Sequence, residues 1–141
     1  MKYVIDSSVA FERLVSERDS DKALRFEDEY VAGLHDLIAP DVFPVEIAHS
    51  LTRAGRQGRI AVSESVRLLR VLLRTLPDLH PSLPLLPLAC GILSAAQIGV
   101  YDCLYVALAE REGCEFVTAD DRLVRNLQAR FPFIVSLSTL P

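Results

Sequence analysis

Residues 2–15 read KYVIDSSVAFERLV, a run of β-forming residues followed by one acid and then by a helix-like segment. The run Lys2–Ile5 predicts a short strand that ends at Asp6. Ser7 and Ser8 can cap a helix that extends to about Glu17, with apolar residues on its inner face. The order strand, acid, helix is typical of the first unit of an α/β fold.

The same alternation continues to the end of the chain. Short β-type runs predict further strands over residues 37–39, 83–86, 116–118 and 133–135. Caps and apolar periodicity predict helices over residues 21–34, 41–56, 63–76, 87–98, 102–111 and 121–130, with Asp41 and Ser63 as two of the caps. This pattern predicts a three-layer α/β/α domain with a mostly parallel central sheet. Residues 1–141 are expected to form one domain, because a chain of 141 residues suits a single core.

Four acids occupy related places in this pattern. Asp6 and Asp120 follow predicted strands, Asp102 heads a helix, and Glu46 is expected in the second turn of a helix whose first turn tolerates Pro44. The carboxyl ends of parallel strands share one rim of a sheet, so these side chains can converge there.

Converging carboxylates favour a bound divalent cation. Two unit charges about 4 Å apart repel by roughly 4 kcal/mol at an effective dielectric near 20, which is large beside the roughly 5 to 15 kcal/mol that holds a domain folded. Mg²⁺ and Mn²⁺ prefer oxygen ligands and keep several waters, which suits chemistry on phosphate.

The charge of the chain is unevenly distributed. The formal net charge of −4 argues against nucleic-acid binding if it is spread evenly. Residues 53–74, however, contain six arginines and one glutamate, a local charge of about +5. Arg67, Arg70 and Arg74 share one helical face. Either this face is merely solvated, or it contacts phosphate or a partner, and the sequence does not decide between the two.

Other features of the sequence bear on where in the cell the protein is found. An acid at position 6 comes too early for a signal-peptide apolar region. Residues 79–101 carry no Asp, Glu, Lys or Arg, but prolines and glycine interrupt the stretch, so a buried strand and helix are favoured over a membrane span. Three cysteines without a CxxC pair indicate neither a disulfide framework nor a zinc site. A cytoplasmic protein is expected.

Four motifs together resemble a known family. They are VIDSS at residues 4–8, Glu46 inside a helix, YDCLYVALAE at residues 101–110 and VTAD at residues 117–120. Their order and spacing resemble PIN-domain ribonucleases of the VapC toxin type, and the similarity covers essentially the whole chain. The tyrosine–aspartate helix start and the Thr-Ala-Asp element are together specific.

The resemblance implies an acidic pocket that binds Mg²⁺ or Mn²⁺ and hydrolyses RNA phosphodiesters, with the ion activating a water molecule. The implied catalytic and metal-binding residues are Asp6, Glu46, Asp102 and Asp120. Asp121 is a further metal candidate that either binds the ion through water or caps the helix. Ser7 or Thr118 would donate hydrogen bonds that fix the carboxylates.

The resemblance also implies partners. Such toxins stop translation by cutting RNA, form homodimers, and are neutralised by a VapB-like antitoxin that covers the pocket. The leucine-rich stretch at residues 68–76 belongs either to a dimer interface or to the core.

Other classes remain as alternatives. A catalytically silent RNA- or partner-binding PIN module would use the acids only to hold a structural ion. Phosphoaspartate enzymes fit less well, because phosphatases of that kind need an Asp-x-Asp after the first strand and receiver domains need a late lysine, whereas Lys2 and Lys22 are the only lysines here.

Overall fold

A parallel five-stranded sheet forms the centre of the molecule, here a computed structural model that describes residues 1–15, 19–96 and 98–141. The strands follow the order β3-β2-β1-β4-β5, and every neighbouring pair is parallel. In the central strand, Val4 is paired with Ile38 on one side and with Phe116 on the other. The strands are β1 Lys2–Ile5, β2 Asp36–Pro40, β3 Asp78–His80, β4 Glu115–Thr118 and β5 Ile134–Ser136.

Helices connect and cover these strands, so the predicted three-layer α/β/α class is confirmed. They are α1 Ser7–Leu14, α2 Ser20–Val31, α3 Phe43–Arg56, α4 Val62–Leu72, α5 Leu86–Ala96, α6 Val100–Glu112 and α7 Asp121–Leu127. Short 3-10 turns lie at Leu83–Leu85 and Leu137–Thr139. The chain first builds β1, β2 and β3 outwards in one direction and then returns to add β4 and β5 on the other side of β1. In open α/β sheets, ligands bind beyond the carboxyl ends of the strands at such a reversal.

The core is centred on α6. Residues 103–109 of this helix are all buried, as expected for a helix that is apolar on nearly every side. Tyr105 stacks on Phe116 of β4 with the ring centroids 5.6 Å apart. The leucine-rich stretch at residues 68–76 contributes mainly to this core, because Leu72 is buried and Leu68, Leu69 and Leu76 pack against it.

One predicted strand and the predicted N-caps of two helices are wrong. Residues 83–86 do not form the predicted edge strand, since Leu83–Leu85 is a 3-10 turn and the strand at that edge of the sheet is β3. Pro84 in that stretch lacks the N–H group that a strand needs. Asp41 does not cap α3, because its carboxylate accepts hydrogen bonds from the N–H and the hydroxyl of Ser82. Ser63 does not cap α4, which begins one residue earlier after Ala61.

Several helix ends also differ from the prediction. α2 ends at Val31 rather than at residue 34, and Gly33 follows it with a positive φ of 78°. α4 ends at Leu72 and α7 at Leu127, four and three residues earlier than predicted. The predicted end of the first helix at Glu17 lies outside the described residues. Helix ends are set by competing turn hydrogen bonds that apolar periodicity does not encode.

No single helix within the described ranges is both long and apolar enough to span a bilayer. The bent pair Leu83–Ala96 and Val100–Glu112 reaches that threshold by length and composition alone, and its second member is the buried core helix α6.

Candidate active site

Three of the four predicted acids line one cavity of about 390 Å³. Asp6 follows β1 and Asp120 follows β4, so both lie at the carboxyl ends of the two strands where the chain order reverses. Asp102 enters the cavity from the first turn of α6. The convergence expected from the strand–acid pattern is therefore present for Asp6, Asp102 and Asp120.

Asp6 is the most buried of these acids, with 5% of its surface exposed. Its Oδ2 accepts hydrogen bonds from the hydroxyls of Ser8 at 2.7 Å and Thr118 at 2.6 Å. Burial raises the pKa of Asp6, the two hydroxyls oppose that rise, and the charge of Asp120 adds to it. The two hydroxyls thus hold one carboxylate oxygen of Asp6 in a fixed place. Because the group is buried, it is difficult to ionise without a cation.

The Thr-Ala-Asp element connects two of the acids. The N–H of Asp120 donates to the Thr118 hydroxyl at 3.0 Å, and the same hydroxyl donates to Asp6. The N–H groups of Arg122 and Leu123 both donate to Oδ1 of Asp120, which therefore caps α7. This cap occupies only one of the two carboxylate oxygens.

Asp121 lies apart from this cavity. It is the first residue of α7 and not its cap, so the interpretation of Asp121 as the capping residue is wrong. The Ser136 hydroxyl of β5 donates to its Oδ1 at 2.9 Å. Asp121 is not among the residues that line the cavity.

Glu46 approaches the group from the first turn of α3, not from the second turn as predicted, because α3 begins at Phe43. The phenol of Tyr105 donates to its Oε1 at 2.6 Å. Burial raises the pKa of Glu46, and the charge of Asp6 raises it further. Glu46 does not line the cavity itself, but its charge acts on both Asp6 and Asp102.

The charges of the other three acids all act on Asp102. Its pKa is raised to about 7, first by burial and then by the charges of Asp6, Glu46 and Asp120. The carboxylates are therefore close enough to oppose one another's ionisation, and a cation in the cavity would relieve that repulsion.

The donor set suits a hydrated oxygen-binding cation rather than a fully enclosed one. Within the described ranges, no group of three His, Cys, Asp or Glu side chains is positioned to hold one metal ion directly. Mg²⁺ is ordinarily held by one or two carboxylates and keeps several waters. The cavity offers carboxylates with room for such waters. The four-carboxylate cage expected from the sequence is thus an open acidic cavity.

Two contributing residues were missed by the sequence reasoning. The hydroxyl that shares Asp6 with Thr118 belongs to Ser8 rather than to Ser7, whose backbone N–H lowers the pKa of Asp6. The available signal for Tyr105 was a phenol within an apolar helix, since a buried tyrosine hydroxyl needs a hydrogen-bond partner.

Replacement Tyr105→Phe should weaken metal binding without unfolding the protein. The ring can still stack on Phe116, but Glu46 loses the hydrogen bond that orients it. Loss of a partner that orients a metal ligand typically costs about 10–100-fold in metal affinity or activity. Because Glu46 acts on the site through its charge and does not line the cavity, we expect an effect near the lower end of that range. A titration of RNA cleavage against Mn²⁺ should show a higher half-saturating concentration.

Tyr30→Phe is the matched control, because that phenol donates to the backbone carbonyl of Leu76 away from the cavity. An unchanged Mn²⁺ titration in Tyr105→Phe would contradict this positioning role.

The predicted arginine face of α4 lies away from the acidic cavity. Arg67, Arg70 and Arg74 line a separate groove of about 470 Å³ on α4 that shares no residue with the acidic cavity. Arg67 is paired with Glu64, its guanidinium 2.6 Å from the carboxylate. The structure does not bring this face to the acids.

The parallel sheet with acids at its point of reversal places the chain in a known class: it belongs to the PIN-domain family, whose model matches residues 3–127. Among its relatives, the VapC ribonuclease Mb0985 of Mycobacterium bovis is 31% identical over 132 residues, which cover 94% of this chain and 96% of that protein. Ribonuclease VapC3 of Pyrobaculum aerophilum is 30% identical over 138 residues, with coverage of 96% and 99%.

A solved structure shares the fold. The crystal structure of VapBC2 from Rickettsia felis, bound to a DNA fragment from its promoter, superposes with a TM-score of 0.66 at 15% identity. The match covers 96% of this chain and 97% of that chain. The resemblance to VapC-type PIN domains that the four motifs carried is confirmed.

Proposed function

We propose that this protein is a metal-dependent endoribonuclease and the toxin of a toxin–antitoxin pair. The observation that carries the proposal is the meeting of Asp6, Asp102 and Asp120 in one cavity at the switch point of the sheet, where the pKa of Asp102 is raised to about 7. Its similarity to VapC ribonucleases over nearly the whole chain supports RNA as the substrate.

Mg²⁺ or Mn²⁺ is the proposed cofactor, and Asp6, Asp102 and Asp120 would hold it, with Glu46 contributing charge from the side. When bound, the ion supplies a water of lowered pKa and stabilises negative charge on the phosphate. The residues of the chain then have distinct tasks. Ser8 and Thr118 fix Asp6, and the α7 cap fixes Asp120.

Tyr105 fixes Glu46 in the same way, through the hydrogen bond from its phenol. No side chain needs to become covalently bound to RNA, because the attacking group is water. Preorganisation of the carboxylates is the contribution of the fold to the reaction.

An antitoxin of the VapB type is the proposed partner, supported by the likeness to the VapBC2 structure. A homodimer acting in the cytoplasm is also proposed. Exposed apolar side chains remain for such contacts, among them Val62, Val66, Leu73 and Leu83.

The purified protein should cleave RNA in Mg²⁺ or Mn²⁺ and lose that activity on addition of EDTA. Cleavage is followed on a single-stranded RNA by gel, and restoration with excess Mn²⁺ serves as the control for damage by EDTA. A silent PIN module gives the opposite result, namely stabilisation by metal without turnover of RNA. That result would refute the enzymatic proposal.

A further inference from the structure

Helix α3 carries a polar stripe along the acidic cavity. Ser50, Arg53 and Gln57 all line the cavity, and they lie four, seven and eleven residues after Glu46. With 3.6 residues per turn, these positions fall on one face of the helix. The stripe therefore extends from the acids along a single wall.

One wall of the cavity carries positive charge, opposite in sign to that of the acids. Asp6, Asp102 and Asp120 line one part of the cavity, and the guanidinium-bearing residues Arg53 and Arg59 line another. The Arg59 guanidinium lies 5.5 Å from the centroid of the Phe11 ring, which fixes it at the cavity edge. A cavity with an acidic floor and a basic wall suits a ligand that binds a cation at one point and presents an anion at another.

Arg53 is the residue best placed for that anion. In the part of the chain that the structure describes, it forms no ion pair with an acid, although three carboxylates share its cavity. Arg53 follows Glu46 by about two turns, a rise of roughly 10 Å along the helix. Helical side chains lean towards the N-terminus, so the reach of Arg53 is directed back towards the acids.

We propose that Arg53 binds an RNA phosphate next to the one that is cleaved, on a strand that runs along α3 from Glu46 towards Gln57. This inference rests on the proposed ribonuclease function. A guanidinium binds phosphate through two parallel hydrogen bonds, and a chain of net charge −4 needs such a local cation to hold RNA. RNA is favoured over an acidic peptide because its phosphates recur along the strand, one at the acids and the next at Arg53.

The experiment compares Arg53→Ala with Arg56→Ala. Arg56 is an exposed arginine on the same helix that does not line the cavity. With a single-stranded RNA and Mn²⁺, we expect Arg53→Ala to raise KM about tenfold with a smaller change in kcat, since a charge-assisted phosphate contact is lost. Arg56→Ala should stay within about twofold of wild type, and Arg53→Lys should recover part of the loss.

Binding is then measured without turnover, in an Asp102→Asn background. Arg53→Ala should lower the slope of log affinity against log salt by about 0.7, the value for one phosphate contact on a single strand. The increase in melting temperature caused by Mn²⁺ in the otherwise wild-type protein should be the same with and without Arg53→Ala, because Arg53 does not hold the ion.

The outcomes separate this inference from the function on which it rests. If wild type cleaves RNA and Arg53→Ala matches Arg56→Ala in KM and salt slope, the phosphate contact is refuted and the nuclease stands. The same holds if Arg53→Ala weakens only the binding of an antitoxin. If wild type does not cleave RNA with either metal, the proposed function itself fails.

Discussion

Asp102→Asn is expected to reduce RNA cleavage by at least about a hundredfold while the protein remains folded. The charges of Asp6, Glu46 and Asp120 all act on Asp102, so a cation should strongly favour the ionisation of its carboxylate. An amide has nearly the same shape but carries no charge to hold the ion. Replacing only a partner of a metal ligand already costs about 10–100-fold, and loss of a ligand should cost more.

Cleavage rates at saturating Mn²⁺, together with circular dichroism to verify folding, measure this effect. Asp28→Asn is the matched control, because Asp28 is an exposed acid on α2 that does not line the cavity. If Asp102→Asn cleaves RNA within a few-fold of the wild-type rate, the acidic cavity does not take part in catalysis. Equal loss in Asp28→Asn would indicate an effect of net charge instead.

The second expected result is that the metal-free protein loses stability as the pH rises from about 4 to 7. The pKa of Asp102 rises from 3.8 to about 7 on folding, and those of Asp6 and Glu46 also rise. An acid with a raised pKa binds its proton more tightly in the folded state. Its stabilising effect is complete below the unfolded pKa and is lost as the pH passes through the folded pKa.

The size of the effect follows from the shift in the pKa of Asp102. One pKa unit corresponds to about 1.4 kcal/mol, so the Asp102 shift contributes on the order of 3 kcal/mol once its partial exposure is considered. Glu64 and Glu112 have lowered pKa values. They act in the opposite sense, but neither is buried, and both pKa values lie below the ordinary value of glutamate, so at higher pH the buried acids decide the slope.

Melting temperatures from pH 4.5 to 8 in EDTA, compared with the same series in Mn²⁺, test this result. Stabilisation by Mn²⁺ should grow with pH because its ligands must be ionised. Asp102→Asn should melt several degrees above wild type at pH 7 in EDTA and close to it at pH 4.5. A metal-free wild type that is as stable at pH 7 as at pH 4.5, with no gain from Asp102→Asn, would show that the acids do not repel one another.

The local parts of this fold were accessible from the sequence. The run at residues 2–5 with its following acid predicted β1 and Asp6, and the Thr-Ala-Asp element predicted β4 and Asp120. Failures occurred where two signals competed. Apolar residues 83–86 resembled a strand, but Pro84 and the Asp41–Ser82 hydrogen bonds favour a 3-10 turn.

Pairings between distant residues were less accessible. Ser7 and Ser8 are adjacent and chemically alike, and only the direction in which α1 leaves Asp6 determines which hydroxyl contacts the carboxylate. The contact between Tyr105 and Glu46 joins residues 59 positions apart. It depends on how α3 and α6 are rotated about their axes, which no local pattern specifies.

The sequence by itself determined the alternation of strands and helices and placed an acid at the end of β1 and of β4, because strand period, helix period and turn residues act over a few neighbouring positions. The tertiary structure decided that β4 lies beside β1, that Asp102 shares the cavity with Asp6 while Asp121 does not, and that Arg53 lines the same cavity as the acids. Strand order and helix rotation are set by packing the whole core at once, so a local pattern cannot contain them.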